Sequence, residues 1–248
     1  MLESYLQELR NYVASKSKLS RVTERSYDKN FFWPAGNGQN VVLKQDTAVE
    51  MGNPREESVS FVLWVNDPSL VHDGTITIVG PDIREKLGMS LSFGKVVVAG
   101  VKGFNEENSY NRYREMELLR YELDLKGYMM RAVLQNHREW SRISRDAMDR
   151  GFSFSLLGSA LIKKFKEKDY IESVEVVFTI SNKQDVQELR SVFNGAMIIV
   201  SAMDKMAEGL AYLCNTCDYK DVCDEVGELR DLHNSLAAKK IERKYMKW

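Results

Sequence analysis

Long apolar runs are missing from this chain of 248 residues, and stretches such as Val96–Val98 fall far short of the roughly 20 residues that span a bilayer. An excess of either charge is missing too. Lys and Arg number 35 against 36 Asp and Glu, a formal net charge of -1, so nothing draws the whole protein toward nucleic acid or an anionic membrane. The glycines compose neither G-x-G-x-x-G nor a Walker pattern, which leaves a nucleotide reading without a motif. No Ser-His-Asp, paired-carboxylate or Cys-His constellation stands out, so hydrolase chemistry has no support. Internal repeats, low-complexity segments and clear linkers are absent as well. Cysteine is scarce: there are three, and the odd count argues against a closed disulfide framework. The N-terminus is expected to be an amphipathic helix packed on the body and not a secretory signal, because Leu2, Tyr5, Leu6, Leu9, Tyr12 and Val13 repeat at helical spacing among charged residues. A cytoplasmic location with reduced thiols is the expectation.

What is present is an ordinary globular composition, 44% hydrophobic and 29% charged, long enough for one large domain or two small ones. The expected class is α+β. A mixed or antiparallel sheet in the N-terminal half precedes a helix-rich middle, and a small αβ region leads to a C-terminal cysteine cluster and helix. The division falls at residues 1–104 and 105–248, with one continuous domain as the alternative. After the first helix, Ser15 to Arg25 is a basic, Ser-rich surface connection. Phe31-Phe32-Trp33-Pro34 then reads as an aromatic anchor for the N-terminal segment. Val59–Val65, Thr75–Val79 and Lys95–Val101 read as strands, and the short turns between them suggest antiparallel pairing.

From Asn105 onward the character changes. Met116, Leu119, Leu123, Met130, Val133, Trp140 and Met148 recur at three- and four-residue steps or their sums, which predicts helix, broken at Gly127. On that reading Arg138, Arg142 and Arg145 crowd near Trp140 on one helix. Arginine forks hold phosphates and an indole stacks an adenine, yet such a helix face is more commonly solvated and salt-bridged. His137 shares that helix as a satisfied structural residue, and His72 reads as a turn residue. Leu157 to Phe165 marks a further helix, Val174–Ile180 a strand, Gln184–Phe193 a helix and Ala196–Val200 a second strand. A helix with Met203, Met206, Leu210 and Leu213 then delivers Cys214, and a final helix places Val226, Leu229 and Leu236 on one face. The basic tail from Lys239 to Trp248 is frayed or docks elsewhere.

All three cysteines fall in ten residues, as Cys214-x2-Cys217-x5-Cys223. Thiolates converge in this way when they share a metal. A [4Fe–4S] cluster on three cysteines leaves one iron to another ligand, and zinc wants a fourth donor. Three plain reduced thiols are the remaining reading. Asp218, Asp221 and Asp224 lie nearby, with Asp221 or Asp224 the expected helix cap. His233 is set aside as a ligand, since one continuous helix from Asp224 would hold it roughly 15 Å from Cys223.

Ile78-Val79-Gly80-Pro81-Asp82-Ile83, the stretch Trp140-Ser141-Arg142-Ile143-Ser144-Arg145-Asp146-Ala147, and Gly151-Phe152-Ser153-Phe154 resemble the middle domain of acetyl-CoA synthase. That protein is the nickel–iron–sulfur beta subunit of the carbon monoxide dehydrogenase/acetyl-CoA synthase complex. The similarity extends from about Thr75 to about Cys223. The family carries cluster cysteines spaced C-x2-C-x8-C-x9-C, one of which bridges to a dinickel site. Cys214 and Cys217 match the opening pair, Cys223 matches the third with a three-residue deletion, and no fourth cysteine exists. The family's x9 step from Cys223 falls on His233. The resemblance implies an iron–sulfur subunit of a larger redox or acyl-CoA-metabolising complex, in an anaerobic setting, with other protein subunits as partners. It further implies coenzyme A or an acyl-CoA as a ligand of Arg138, Trp140, Arg142 and Arg145. The large domain that supports the catalytic metals in the family is missing from this chain, so nickel and acetyl-CoA synthesis by the chain alone are not expected. A non-catalytic assembly module with a structural metal, zinc or iron–sulfur, is the alternative.

Overall fold

In the computed structural model, residues 2–19, 22–38, 40–105, 107–133, 136–207 and 217–235 are described. The chain opens with helix α1 (Ser4–Leu19), whose Leu6, Leu9, Tyr12 and Lys16 form a buried stripe at three- and four-residue steps. Strands β1 (Val22–Ser26), β2 (Thr47–Met51), β3 (Ser58–Val65), β4 (Thr75–Val79), β5 (Ser90–Leu91) and β6 (Phe93–Val101) follow. Next come α2 (Ser109–Leu119), β7 (Tyr128–Val133), β8 (Arg138–Ser144), α3 (Arg145–Asp149), α4 (Phe154–Phe165) and β9 (Ile171–Thr179). Helices α5 (Lys183–Val192), α6 (Asn194–Ala207), α7 (Lys220–Glu225) and α8 (227–235) complete the described elements. The class is α+β with two mixed sheets, as expected.

The larger sheet has the order β1-β4-β9-β6-β3. Strands β3 and β6 are buried along their whole length and read as continuous apolar runs, the mark of strands covered on both faces. Phe93 of β6 stacks with Phe154 of α4 at 6.1 Å between ring centroids. Its neighbour Gly94 lies where an added Cβ would come within 2.6 Å of Leu189 of α5. Successive residues of a strand point to opposite faces, so α4 and α5 cover opposite sides of the sheet. Helix α1 shares the α5 side. Its Tyr12 hydroxyl donates to the Asp185 carbonyl at 3.0 Å, and Lys16 pairs with Asp185 at 2.6 Å.

Two expectations fail in this sheet. Strand β3 pairs with β6 in parallel, and β4 pairs with neither but lies beside β9, also in parallel. Strand β9 is buried at every position but Glu172, so it takes an interior slot between β4 and β6, and short local turns cannot reveal a partner that arrives much later in the chain. The segment Ala196–Val200 is not a strand but the start of α6. Ala196, Met197, Ile199, Val200, Ala202, Met203 and Met206 are buried at helical steps, and a short apolar run does not distinguish the two states by itself.

The smaller sheet, ordered β5-β2-β8-β7, corrects the helix expected through residues 128–144. Met130, Val133 and Trp140 lie on strands; helix in this region is confined to Ser109–Leu119 and the short α3. Burial along β8 alternates strictly, with Glu139, Ser141 and Ile143 inside and Arg138, Trp140 and Arg142 half-exposed. Two of the three inward residues are polar, so a search for apolar periodicity misses the period of two. The sheets join where the Ser60 amide donates to the His137 carbonyl at 2.8 Å and Ser58 exchanges hydrogen bonds with the Glu139 backbone. Gly52, at φ 64°, turns the end of β2 there, and an added Cβ would fall 2.2 Å from the Glu139 carbonyl oxygen.

The aromatic anchor rests on Trp33, which packs edge-on against Phe152 at 5.4 Å and donates its indole N–H to the Lys126 carbonyl. Phe32 is 86% exposed and takes no part in it.

Candidate functional site

Cys217 is exposed just ahead of α7, and Cys223 is half-buried on α7 among residues packed against the core. Cys214 lies outside the described residues, as do Leu210, Leu213, Leu236 and the tail from Lys239 to Trp248. Among the described residues, no three His, Cys, Asp or Glu side chains converge as a metal-binding group. The premise used against His233 does not hold, because the chain breaks at Val226 (ψ 92°) and places Cys223 and His233 on separate helices. Neither aspartate takes the N-cap position of the final helix α8, which falls to Val226; Asp221 sits in the first turn of α7, and Asp224 pairs with Arg230 at 3.0 Å.

The arginine–tryptophan group comes together, though on a strand. Alternation along β8 puts Arg138, Trp140 and Arg142 on one face, and the register with β7 places Arg131 opposite Trp140. The Arg142 guanidinium lies 4.6 Å from the Trp140 ring centroid and that of Arg131 lies 5.9 Å away. Arg138 donates to the backbone carbonyls of Glu56 (2.5 Å) and Asn53 (3.4 Å) and keeps its charge uncompensated by a carboxylate among the described residues. Arg145 is not part of this face. It is exposed as the first residue of α3, past the end of the strand.

Glu50, directly opposite Arg142 on β2, is the residue that reasoning from sequence missed. Its Oε1 accepts from Arg142 Nε at 2.7 Å and from Trp140 Nε1 at 3.0 Å, while Oε2 accepts from Asn53 at 3.1 Å and Ser90 at 3.3 Å. Burial alone would raise its pKa, but the bonds from Arg142, Asn53 and Trp140 outweigh burial and hold the carboxyl below its usual range. One signal was legible: a lone charge in the run Ala48-Val49-Glu50-Met51, whose other members are buried.

On the inner face of β8, Glu139 meets Lys95 of β6 at 2.5 Å, with both side chains 0% exposed. Ser60 donates to the same carboxylate at 2.9 Å, and buried Arg120 donates to Ser60 at 2.6 Å. Arg120 also approaches Glu117, which accepts from Tyr113 at 3.2 Å and from Arg114 at 2.5 Å. Burial pushes the Lys95 ammonium down. It would push Glu139 up, but Lys95 and Arg120 hold that carboxyl low. His137 beside this network is neither helical nor satisfied. It takes a left-handed φ of 46°, and its buried Nδ1 has no hydrogen-bond partner among the described residues. His72 accepts at its carbonyl from the Thr75 amide, as a turn residue does.

Two of the three stretches that carry the resemblance, Ile78–Ile83 and Gly151–Phe154, meet in space, while the third runs along β8 into α3. The Phe154 amide donates to Asp82 Oδ1 at 3.3 Å, and Asp82 also caps the short turn Ile83–Lys86. These contacts join α4 to the end of β4.

A family model described as CO dehydrogenase/acetyl-CoA synthase complex beta subunit matches residues 32–186, more than half of the chain. That match covers β8 and stops short of the cysteines. Carbon monoxide dehydrogenase/acetyl-CoA synthase subunit alpha of Moorella thermoacetica is 32% identical over 139 residues, 55% of this chain and 18% of that protein. The acetyl-CoA decarbonylase/synthase complex subunit beta of Methanothermobacter thermautotrophicus is 34% identical over 143 residues, 56% of this chain and 29% of its own length. That of Methanopyrus kandleri is 27% identical over 183 residues, 69% and 37% respectively. The chain thus spans less than two fifths of these relatives. No helix among the described residues is long and apolar enough to cross a membrane.

Proposed function

Because this chain belongs to the CO dehydrogenase/acetyl-CoA synthase complex beta subunit family, we propose that it serves as a subunit of a larger redox or acyl-CoA-handling assembly and binds coenzyme A or an acyl-CoA on the outer face of β8. The observation that carries this reading is the face itself. Arg131 and Arg142 flank one indole and Arg138 stands two residues along on the same face, against a single carboxylate, Glu50, among the described residues, leaving two positive charges for an anionic ligand. Guanidinium forks suit phosphate oxygens, and the half-exposed indole supplies apolar area for an adenine. Arg145 is a peripheral cation in this scheme.

The same reading assigns a [4Fe–4S] cluster to Cys214, Cys217 and Cys223, on the chemistry of a three-thiolate donor set. When bound, such a cluster supplies electron transfer or Lewis acidity. The chain's own contribution is to hold it and to bind and orient the thioester-bearing ligand. Zinc in the same thiolates is the alternative occupant. Acetyl-CoA synthesis is assigned to the whole assembly, with nickel held outside this chain.

A second reading, a non-catalytic assembly module with a structural metal, draws on exposed apolar side chains beside β2. Val41, Leu43, Leu87 and Met89 are all exposed in the two segments that flank it.

Titration of anaerobically isolated protein with coenzyme A, followed by tryptophan fluorescence, tests the first reading. Saturable quenching in the full chain that disappears in Trp140→Phe is expected. Equal quenching in both proteins, or none in either, overturns it. Iron, sulfide and zinc analysis of the same material decides the metal, with stoichiometric zinc and no sulfide excluding the cluster.

A further inference from the structure

We propose that Glu50 is the positioning residue of this face: its carboxylate fixes Arg142 and Trp140 as the preformed half of a phosphate-binding site. The proposal rests on the assignment of the β8 face to a coenzyme A-type ligand. Glu50 Oε1 is shared by Arg142 Nε (2.7 Å) and Trp140 Nε1 (3.0 Å), so one atom sets both the fork and the ring. That shared acceptor holds the guanidinium 4.6 Å from the indole centroid.

The alternative role, an anion that a ligand phosphate displaces, conflicts with the second oxygen. Oε2 accepts from Asn53 and Ser90, so displacement would strip a half-buried carboxylate of four donors. Glu50 therefore stays in place when ligand binds. Its hold on Nε leaves the far end of Arg142 to the ligand, where Nη1 has only a 3.4 Å contact to the Val42 carbonyl and Nη2 has no partner among the described residues. Arg131, exposed and without a carboxylate partner among the described residues, and Arg138 complete the cationic rim. Two surplus positive charges suit a doubly charged group, such as the ribose phosphate or the diphosphate of coenzyme A.

The Trp140 indole N–H resonance, identified by its loss in Trp140→Phe, reads the Glu50 contact without any ligand. Glu50→Ala should shift this resonance and weaken coenzyme A binding about tenfold, the scale expected when a charge-assisted contact no longer orients the fork. Glu50→Gln keeps an acceptor oxygen and should stay within about threefold of the unaltered chain. Unmoved resonances of the other three indoles show that each variant is folded. Glu50→Ala that binds coenzyme A as well as the unaltered chain, or more tightly, overturns the positioning role while leaving the ligand assignment standing. An unaltered chain that binds neither coenzyme A nor inorganic pyrophosphate overturns both.

Discussion

The two faces of β8 use the same kinds of side chain for different ends. Inward, Glu139 and Lys95 are 0% exposed and every charge is enclosed by Ser60, Arg120 and Tyr128. Outward, Glu50 and Arg142 keep about a fifth of their side-chain area in water, 20% and 18%, beside cations with no carboxylate partner among the described residues. A sealed ion pair is costly to break and does little chemistry, because its donors and acceptors are spent on one another. A half-open pair with surplus charge retains donors for a ligand. Alternation along one strand therefore separates a sealed ion pair from a half-open charged face within a single residue step.

Breaking the inner face should have the largest effect. Lys95→Met leaves the Glu139 carboxylate buried without its cation and should cost about 3–5 kcal/mol of stability in urea unfolding. Adding Glu139→Gln to that variant should recover part of the loss; a double variant no more stable than Lys95→Met would show that the charge is not what the core relies on.

Acid should attack the same side next. His137 has its pKa pushed down to about 4, by burial first and then by Arg120, Arg190 and Arg114. The unfolded chain takes up that proton near 6.5, so the stability is whole above pH 6.5 and drains away as pH falls toward 4. The loss should reach about 2–3 kcal/mol between these limits. His137→Asn suits the left-handed backbone and should flatten urea midpoints measured between pH 7 and pH 5.

The outer face should respond in binding rather than in folding. Arg131→Ala removes an exposed cation near the indole and should leave stability within about 0.5 kcal/mol. Coenzyme A affinity by calorimetric titration should fall roughly threefold to tenfold. An unchanged affinity would place the ligand elsewhere.

The smallest expected effect on the fold is at Cys217, which is exposed and outside both faces. Cys217→Ser should shift the urea midpoint by less than about 0.5 kcal/mol equivalent. The same change should strip iron and sulfide from anaerobically isolated protein; full retention of both would remove this thiol from the ligand set.

Much of this was legible in residue order. The stripe of α1 and the helices at 154–165 and 183–192 follow from periodicity, and the strands β3, β6 and β9 from short β-branched apolar runs, both signals that act over a few residues. The stretches that resemble acetyl-CoA synthase were legible as well, and so was the thiol spacing. The grouping of Arg138, Trp140 and Arg142 was seen, though for the wrong reason: they share a face through the period of two, and Arg145, which fits helical spacing, is the one left out. Other features were decided only by tertiary structure. Glu139 and Ser141 look like surface residues until Lys95 and Tyr128 arrive from other strands to satisfy them. Glu50 meets Arg142 and Trp140 only because β2 lies against β8 in this register. Local propensity is written into neighbouring residues. Which polar groups are buried, and which partner neutralises them, depends on strands distant in the chain and is settled when the sheets assemble.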